Sequence, residues 1–596
     1  MKAKEIGKYF LLAIASMVIL YIWYAAIGVK DLGNFVHGLR NALSGVIFIF
    51  VAELITGRSL LHRSWHPGLL MMYFWIFSIS YVLVKSVGTF GIRVETLNND
   101  TLTLIPVLIL TFLAEYGASR CRKLKPVLLL FNFLLLGYLS LSAFIYLTYY
   151  KIFGVGFTAT DMISVLLTNF KEAWEFLQSH LGIGGFLLSL ALFVVFMIFM
   201  TFLIYRGSRE EQGGNRLSAL KKMIFGVLVL AALITIAHWI PRIFPAWPYH
   251  VAHKYLMNSQ KSAKAHAKNI EAMKFVGEPE KLNGSVIVVI GESAARDHHK
   301  AFNPSYPAET TPWLSSEKEN PDFYLLSHAY SNYPLTAQAL SMFLTNVNQY
   351  NKMEMDKAIT ITDVANKAGY ETYWISNQTP SAGNVMLAVS ARSSTKELWT
   401  QQTTGPDMKV MDLLKEVPKE GSHFILIHLE GSHDRYRDRV PSDFESIHTN
   451  GVPAKVNDYD SSIKYTDDVL KNIYQYAKDN LNLQAMVYCS DHGEDMQYFH
   501  GGSHFTWDMV RVPMWIYLSP DYKASHQVIA DNLRKNEKKI FTNDLTFDTI
   551  SGILGAKTDG YDAKYDITSR DFNLDESDAV TKHGELYICD DPALKS

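Results

Sequence analysis

Only three cysteines occur among the 596 residues, Cys121, Cys489 and Cys589. Three thiols so widely spaced make no disulfide framework. Whatever lies outside the cytoplasm must therefore hold together on its hydrophobic core, and the stretch from Asn283 to Ser596 is long enough to bury one. Net charge is nearly absent too. Lys and Arg number 56 against 58 Asp and Glu, a formal −2, so no global bias points to nucleic acid. Internal repeats and low-complexity tracts are missing, which argues against a solenoid or a linker-rich array.

What is present divides into two unlike halves. Up to about Ile240 the chain is dominated by apolar runs: Tyr9–Val29, Ala42–Ile55, Leu69–Val87, Leu102–Ala114, Pro126–Tyr149, Phe186–Tyr205 and Met223–Ile240. A spanning helix needs about 20 apolar residues. Five of the runs approach that length. Ala42–Ile55 and Leu102–Ala114 are short, and each contains or leads into an acid, Glu53 or Glu115, so a re-entrant or buried segment is an alternative for both. The fold expected is an α-helical transmembrane domain of five to seven helices, residues 1–242, followed by a soluble α/β domain.

Lys and Arg orient the spans. Lys2, Lys4 and Lys8 precede the first; Arg58 and Arg63 follow the second. Arg120, Arg122, Lys123 and Lys125 follow the fourth, and Arg206, Arg209, Arg216, Lys221 and Lys222 the sixth. With seven spans these clusters share the cytoplasmic side, and removing both short spans leaves the placement of the C-terminal half unchanged. The C-terminal half then lies outside the cytoplasm. Residues 243–282 read as an interfacial linker, with Trp247 and Tyr249 suited to the membrane surface and a Lys, His and Ala-rich stretch after them.

From residue 283 on, short apolar runs alternate with helical patterns, the signature of an α/β fold. Each run ends in chemistry. Ser285–Ile290 leads to Gly291 and Glu292. Tyr370–Ser376 leads to Asn377. His423–Leu429 leads to Glu430, Gly431, Ser432 and His433. Ala485–Ser490 leads to Asp491, His492, Gly493 and Glu494. Ligands bind at the carboxyl ends of such strands. A carboxylate beside an imidazole, as in Asp491-His492, suits zinc or manganese. Thr336 follows Pro334 where a helix begins. It reads either as an N-cap or as a hydroxyl poised beside a cation to attack an anionic substrate.

The motifs resemble those of the membrane-bound phosphoethanolamine transferases, within the alkaline-phosphatase/sulfatase superfamily. Gly291-Glu292-Ser293 with Thr310–Leu314, the helix motif Tyr459–Leu470 and Ser490–Glu494 are similar to the family's motifs. Thr158–Leu177 resembles its extracytoplasmic segment between membrane helices, expected near residues 150–183. The resemblance implies an α/β/α catalytic domain at 283–596, in the periplasm, on a multi-pass protein of the bacterial inner membrane. It implies zinc, one ion tightly bound and a second left open, at Glu292, Thr336, Asp491 and His492, with Thr336 as nucleophile. It assigns His433 and either His500 or His504 to the substrate phosphate and to catalysis, and Asn377 to substrate binding. The partners implied are phosphatidylethanolamine as donor, a lipopolysaccharide, lipid A-type or other glycan acceptor, and membrane lipids; nucleic acid is not among them. Glycerophosphate transfer from phosphatidylglycerol and a non-catalytic membrane sensor are the alternatives. A sulfatase is disfavoured, because neither Cys-x-Pro-x-Arg nor Ser-x-Pro-x-Arg occurs.

Overall fold

A computed structural model describes residues 32–60, 65–75, 78–79, 95–154, 156–168, 170–209, 217–378, 385–400, 405–501 and 504–595, with Leu11 and Val82 besides. Apart from Leu11, the expected span Tyr9–Val29 lies outside the described residues, as do residues 83–87 of Leu69–Val87 and Lys2, Lys4, Lys8, Arg63 and Arg216. Two compact units emerge. One comprises the chain up to Ile163 and His180–His253; the other comprises Ser164–Ser179 and everything from Lys254 on. The boundary thus falls inside the helix Ala246–Ala272 rather than near residue 283, and part of the expected extracytoplasmic segment belongs with the catalytic unit.

The first unit is helical. Among the described residues four helices are long and apolar enough to cross a membrane: Leu102–Arg120, Lys125–Phe153, Gly182–Gly207 and Ala219–Arg242. Local chemistry sets their ends. Lys125–Phe153 starts with a proline in its first turn, where no N–H is needed, and stops at Gly154 in the left-handed region, φ 71°. The run at Leu102–Ala114 was expected to be short, yet its helix continues to Arg120. Glu115 does not end it, because the side chain is buried 3.2 Å from His66 Nε2.

The second unit is built on a seven-stranded sheet. Its strands are β1 (Gly284–Gly291), β2 (Phe323–Leu325), β4 (Glu371–Ser376), β5 (Lys396–Trp399), β6 (Ser422–His428), β7 (Leu483–Ser490) and β8 (Met514–Leu518), in the order β2-β8-β7-β1-β6-β4-β5. A separate parallel pair joins β3 (His328–Tyr330) to β9 (Ile540–Thr542). The strands β7, β1, β6, β4 and β5 run parallel; β8 is antiparallel to them, and β2, antiparallel to β8, closes that edge. All eight residues of β1 are buried. Val286, Val288 and Ile290 enter one core and Ile287 and Val289 the other, which is why the run is continuously apolar rather than alternating. The four runs that end in polar residues are neighbours, so their carboxyl ends share one edge.

The helix Ala454–Asn480 explains two of the motifs. Asp467, buried on it, accepts from the N–H groups of Trp313 (2.7 Å) and Leu314 (3.1 Å), which open the helix Pro312–Glu317. These N–H groups have no partner within their own helix. Asp467→Asn leaves one buried donor facing an amide N–H₂, and we expect a loss of about 1–3 kcal/mol in thermal unfolding.

Candidate active site

Tyr459, about two helical turns before Asp467, fixes the loop after β1. Its hydroxyl donates to Ser293 O (2.7 Å) and accepts from Ala295 N–H (2.8 Å), holding Ser293 at φ 53°. Glu292 is thereby buried at the end of β1. Asp491 and His492 follow β7, and Thr336 opens the helix Thr336–Phe343. Glu292, Asp491 and His492 each offer a ligand atom, all within 4.8 Å of one another. Thr336 Oγ1 lies 3.3 Å from Glu292 Oε2 and 3.2 Å from His492 Nε2, and Thr336 itself is half-buried, so a substrate can reach it.

The donor set fits a cation. His492 Nδ1 faces the carbonyl of Gly493 at 2.8 Å and must carry the proton, which leaves the Nε2 lone pair for the site. That lone pair stands 3.4 Å from Glu292 Oε1 and 3.4 Å from Asp491 Oδ2, and Asp491 Oδ2 is buried with no hydrogen bond. Three electron-rich atoms pointing at one spot repel unless something positive sits between them. Charge in the metal-free site is correspondingly disfavoured. Burial, then Asp491, push Glu292 up to about 7; burial pushes Asp491 up to about 6 and His492 down to about 4. Nitrogen and oxygen ligands in this mixture suit zinc.

Close backbone approach explains the glycines. A Cβ on Gly431, at φ 52°, would lie 2.7 Å from Glu292 O, and one on Gly493 would run into Asp508 O. Gly493 is needed for that approach and not for a positive φ.

Thr336 is the first helical residue and not the N-cap. Leu335 occupies the cap without a side-chain bond, and the Thr336 hydroxyl faces the acids instead. Asn377 departs from its expected role. It is buried, its Nδ2 donates to Asp407 Oδ1 (2.8 Å) and Gly405 O (3.0 Å), and its Oδ1 accepts from Thr400 (2.8 Å). Both its side-chain N–H groups are spent inside the protein, and its oxygen already accepts one bond. Asp407 in turn accepts from Glu430 N–H and Gly431 N–H, both at 2.8 Å, so Asn377 steadies the loop that carries His433.

The two candidate histidines of the 500 loop separate. The His500 ring is 4.4 Å from His492 and 6.2 Å from His433, whereas His504 stacks on Tyr498 at 3.7 Å. His500 Nδ1 bonds Glu494 Oε2 at 2.5 Å, and Glu494 Oε1 accepts from Tyr436 (2.6 Å). Burial opposes charge on His500, but Glu494, with Glu292 and Asp491, outweighs it and lifts the group to about 9. Burial, and then the Arg439 guanidinium, hold His433 well below its usual range.

Sequence reasoning missed Gln378 and Arg439 and named Glu494 without giving it a role. Gln378 Nε2 donates to Glu292 Oε2 (3.1 Å) and to Leu429 O (3.0 Å), orienting the carboxylate. Its signal was adjacency to Asn377: side chains alternate at a strand end, so when one points inward the next points out. Gln378→Ala is expected to weaken zinc binding roughly 10–100-fold, read by competition with a chromophoric chelator.

Residues 285–556 match the sulfatase family. Over 556 residues the chain is 27% identical to the phosphoethanolamine transferase EptC of Escherichia coli O18:K1:H7, covering 85% of this chain and 92% of that one. The chain is thus similar to the membrane-bound phosphoethanolamine transferases over most of its length and carries a sulfatase-family domain. The phosphoethanolamine transferase CptA of Salmonella typhimurium is also 27% identical, over 562 residues, covering 85% and 92% of the two chains. Among solved structures, the integral membrane lipooligosaccharide phosphoethanolamine transferase A of Neisseria meningitidis shares the fold. Its TM-score is 0.55 at 16% identity, covering 84% of this chain and 97% of that one.

Proposed function

We propose that this transferase moves phosphoethanolamine from phosphatidylethanolamine to a lipopolysaccharide, lipid A-type or other glycan acceptor, through a covalent intermediate on Thr336. The observation that carries the reading is one hydroxyl, at a helix start, within 3.4 Å of two groups of a three-residue ligand cluster. Glu292, Asp491, His492 and Thr336 would hold the zinc. When bound, zinc lowers the cost of deprotonating a ligated hydroxyl and offsets charge on phosphoryl oxygens.

The chain's own residues supply the rest. Thr336 Oγ, its proton given up to solvent, attacks phosphorus, and the bond from phosphorus to the glycerol oxygen breaks with its electron pair on that oxygen; the acceptor oxygen later bonds phosphorus as the Thr336 Oγ–phosphorus bond breaks with its pair on Oγ. His500, whose Nδ1 is tied to Glu494, delivers the proton to the departing diacylglycerol from Nε2 and later takes one from the acceptor. His433 binds the phosphoryl group. Four described helices long and apolar enough to cross a membrane suit an enzyme with two lipid substrates and a periplasmic catalytic unit.

The experiment is to incubate the full chain in detergent with phosphatidylethanolamine or phosphatidylglycerol and to map adducts by peptide mass spectrometry. A phosphoethanolamine adduct on the peptide containing Thr336, from the first lipid alone, is the expected result. A glycerophosphate adduct from the second would replace the donor, and no adduct from either would overturn the enzyme reading. Mass spectrometry of lipopolysaccharide with and without the gene then identifies the acceptor.

A further inference from the structure

The two histidines beside the nucleophile are held by partners of opposite kind. His500 presents Nδ1 to a carboxylate. His433 presents Nδ1 to a guanidinium: Arg439 Nη2 lies 3.4 Å from it, Arg439 Nε donates to His433 O (3.1 Å), and Nη2 donates to Asp434 O (2.7 Å). Arg439 is buried, 2% exposed, and is fixed by two acids, with Nη1 2.9 Å from Glu430 Oε1 and Nη2 3.6 Å from Glu175 Oε2. Glu175 belongs to the Ser164–Ser179 segment of the same unit, which also places Gln178 Oε1 3.2 Å from Arg435 Nη1 and Ser179 Oγ 2.6 Å from Asp434 Oδ2.

An arginine has only donors and stays charged. A proton on His433 Nδ1 would set N–H against N–H beside a fixed cation. Nδ1 is therefore the acceptor, and the single proton of the neutral ring sits on Nε2. A neutral imidazole that gave up its last proton would become an imidazolate, so such a ring is a poor acid and a good fixed donor. We propose that Arg439 is a positioning residue that locks His433 as the neutral Nε2–H tautomer. His433 then serves the transferred phosphoryl group as a hydrogen-bond donor and leaves proton transfer to His500.

This rests on the transferase reading above. In the step, the Thr336 Oγ–phosphorus bond forms and the phosphorus–glycerol oxygen bond breaks with its pair on oxygen. The proton for that oxygen comes from His500, and His433 keeps its own throughout. The segment between two membrane helices contributes through Glu175, which helps hold the guanidinium in register.

The test uses the full chain in detergent micelles with two donors: phosphatidylethanolamine, whose leaving alkoxide needs a proton, and the p-nitrophenyl ester of phosphoethanolamine, whose leaving phenolate does not. His433→Ala should lose roughly 10²–10³-fold with both donors, the scale of one oxyanion donor. His433→Gln, whose amide N–H falls near the place of Nε2–H, should recover most of that loss. Arg439→Gln should lose activity equally with both donors, and Arg439→Lys, which keeps the cation, should recover part of it. His500→Gln should be selective for the lipid donor. Nitrogen-15 NMR of histidine-labelled wild type, with the His433 signal assigned by its loss in His433→Gln, should show Nε2 protonated and Nδ1 bare.

An imidazolium or Nδ1–H signal for His433 overturns the proposal. So does a His433→Gln enzyme as inactive as His433→Ala on the lipid but normal on the nitrophenyl ester, which would make His433 the proton donor. If wild type transfers from neither donor, the transferase reading fails, while the tautomer is still read by NMR.

Discussion

A Thr336→Ala protein is expected to fold as wild type does and to transfer nothing, a loss on the order of 10⁴-fold or more. The two halves of this expectation come from the same geometry. Leu335 is the cap residue and no side chain caps this helix, so removing the Thr336 hydroxyl breaks no helix-end bond. Alanine is also the better helix former. The hydroxyl's neighbours are Glu292 and His492, which are ligand candidates rather than structural partners. Thermal unfolding should shift little, while transfer and the Thr336 adduct both vanish. Thr336→Ser keeps an attacking oxygen and should retain measurable transfer. The nearby hydroxyls are poor substitutes, because Ser341 donates to Ala337 O (2.6 Å) and Thr345, just past the helix end, to Ser341 O (2.8 Å). An alanine variant that transferred within tenfold of wild type would remove Thr336 from the chemistry.

The sheet was legible because its inner strands are buried on both faces. Continuous apolar runs with polar ends leave few other readings, and β1, β4, β6 and β7 fall within a residue or two of the runs that announced them. The edge was legible for the same reason: neighbouring parallel strands must end together. What the sequence could not convey was the direction in which each polar side chain points. Asn377 and Gln378 are adjacent and chemically alike, yet one is locked to Asp407 and the other to Glu292. His500 and His504 share a loop, and only backbone geometry, with Phe499 at φ 63°, separates the ring beside His492 from the ring on Tyr498. Arg439 lies six residues past His433 in a run of charges that reads as solvated surface, and it is instead buried among two acids and two carbonyl groups. Length misled in one place. The helix Glu95–Arg120 outruns its apolar stretch because Glu115 finds His66 inside the unit.

Asp491→Asn should change the sign of its effect on stability when zinc is added. Without metal, wild type buries Glu292 and Asp491 around a bare His492 Nε2, and every pair among them is repulsive or unfulfilled. The asparagine keeps what Asp491 does structurally. Its Oδ1 can still accept from Ser293 N–H (3.1 Å) and His492 N–H (2.6 Å). Where Asp491 Oδ2 now faces the lone pair at 3.4 Å, the amide presents an N–H donor to it instead. One buried charge disappears and one hydrogen bond appears, so in chelator the variant should be the more stable by about 1 kcal/mol. Zinc at about a hundred times its dissociation constant stabilises a binding-competent site by about 2.7 kcal/mol. Wild type should gain that and overtake the variant, which has lost an anionic ligand and should gain little. Thermal unfolding of the full chain in detergent, with chelator and then with zinc, reads both signs without an activity assay. Equal stabilisation of both proteins by zinc would place the metal elsewhere. An asparagine variant already weaker in chelator would mean that the carboxylate belongs to the fold and not to a cation.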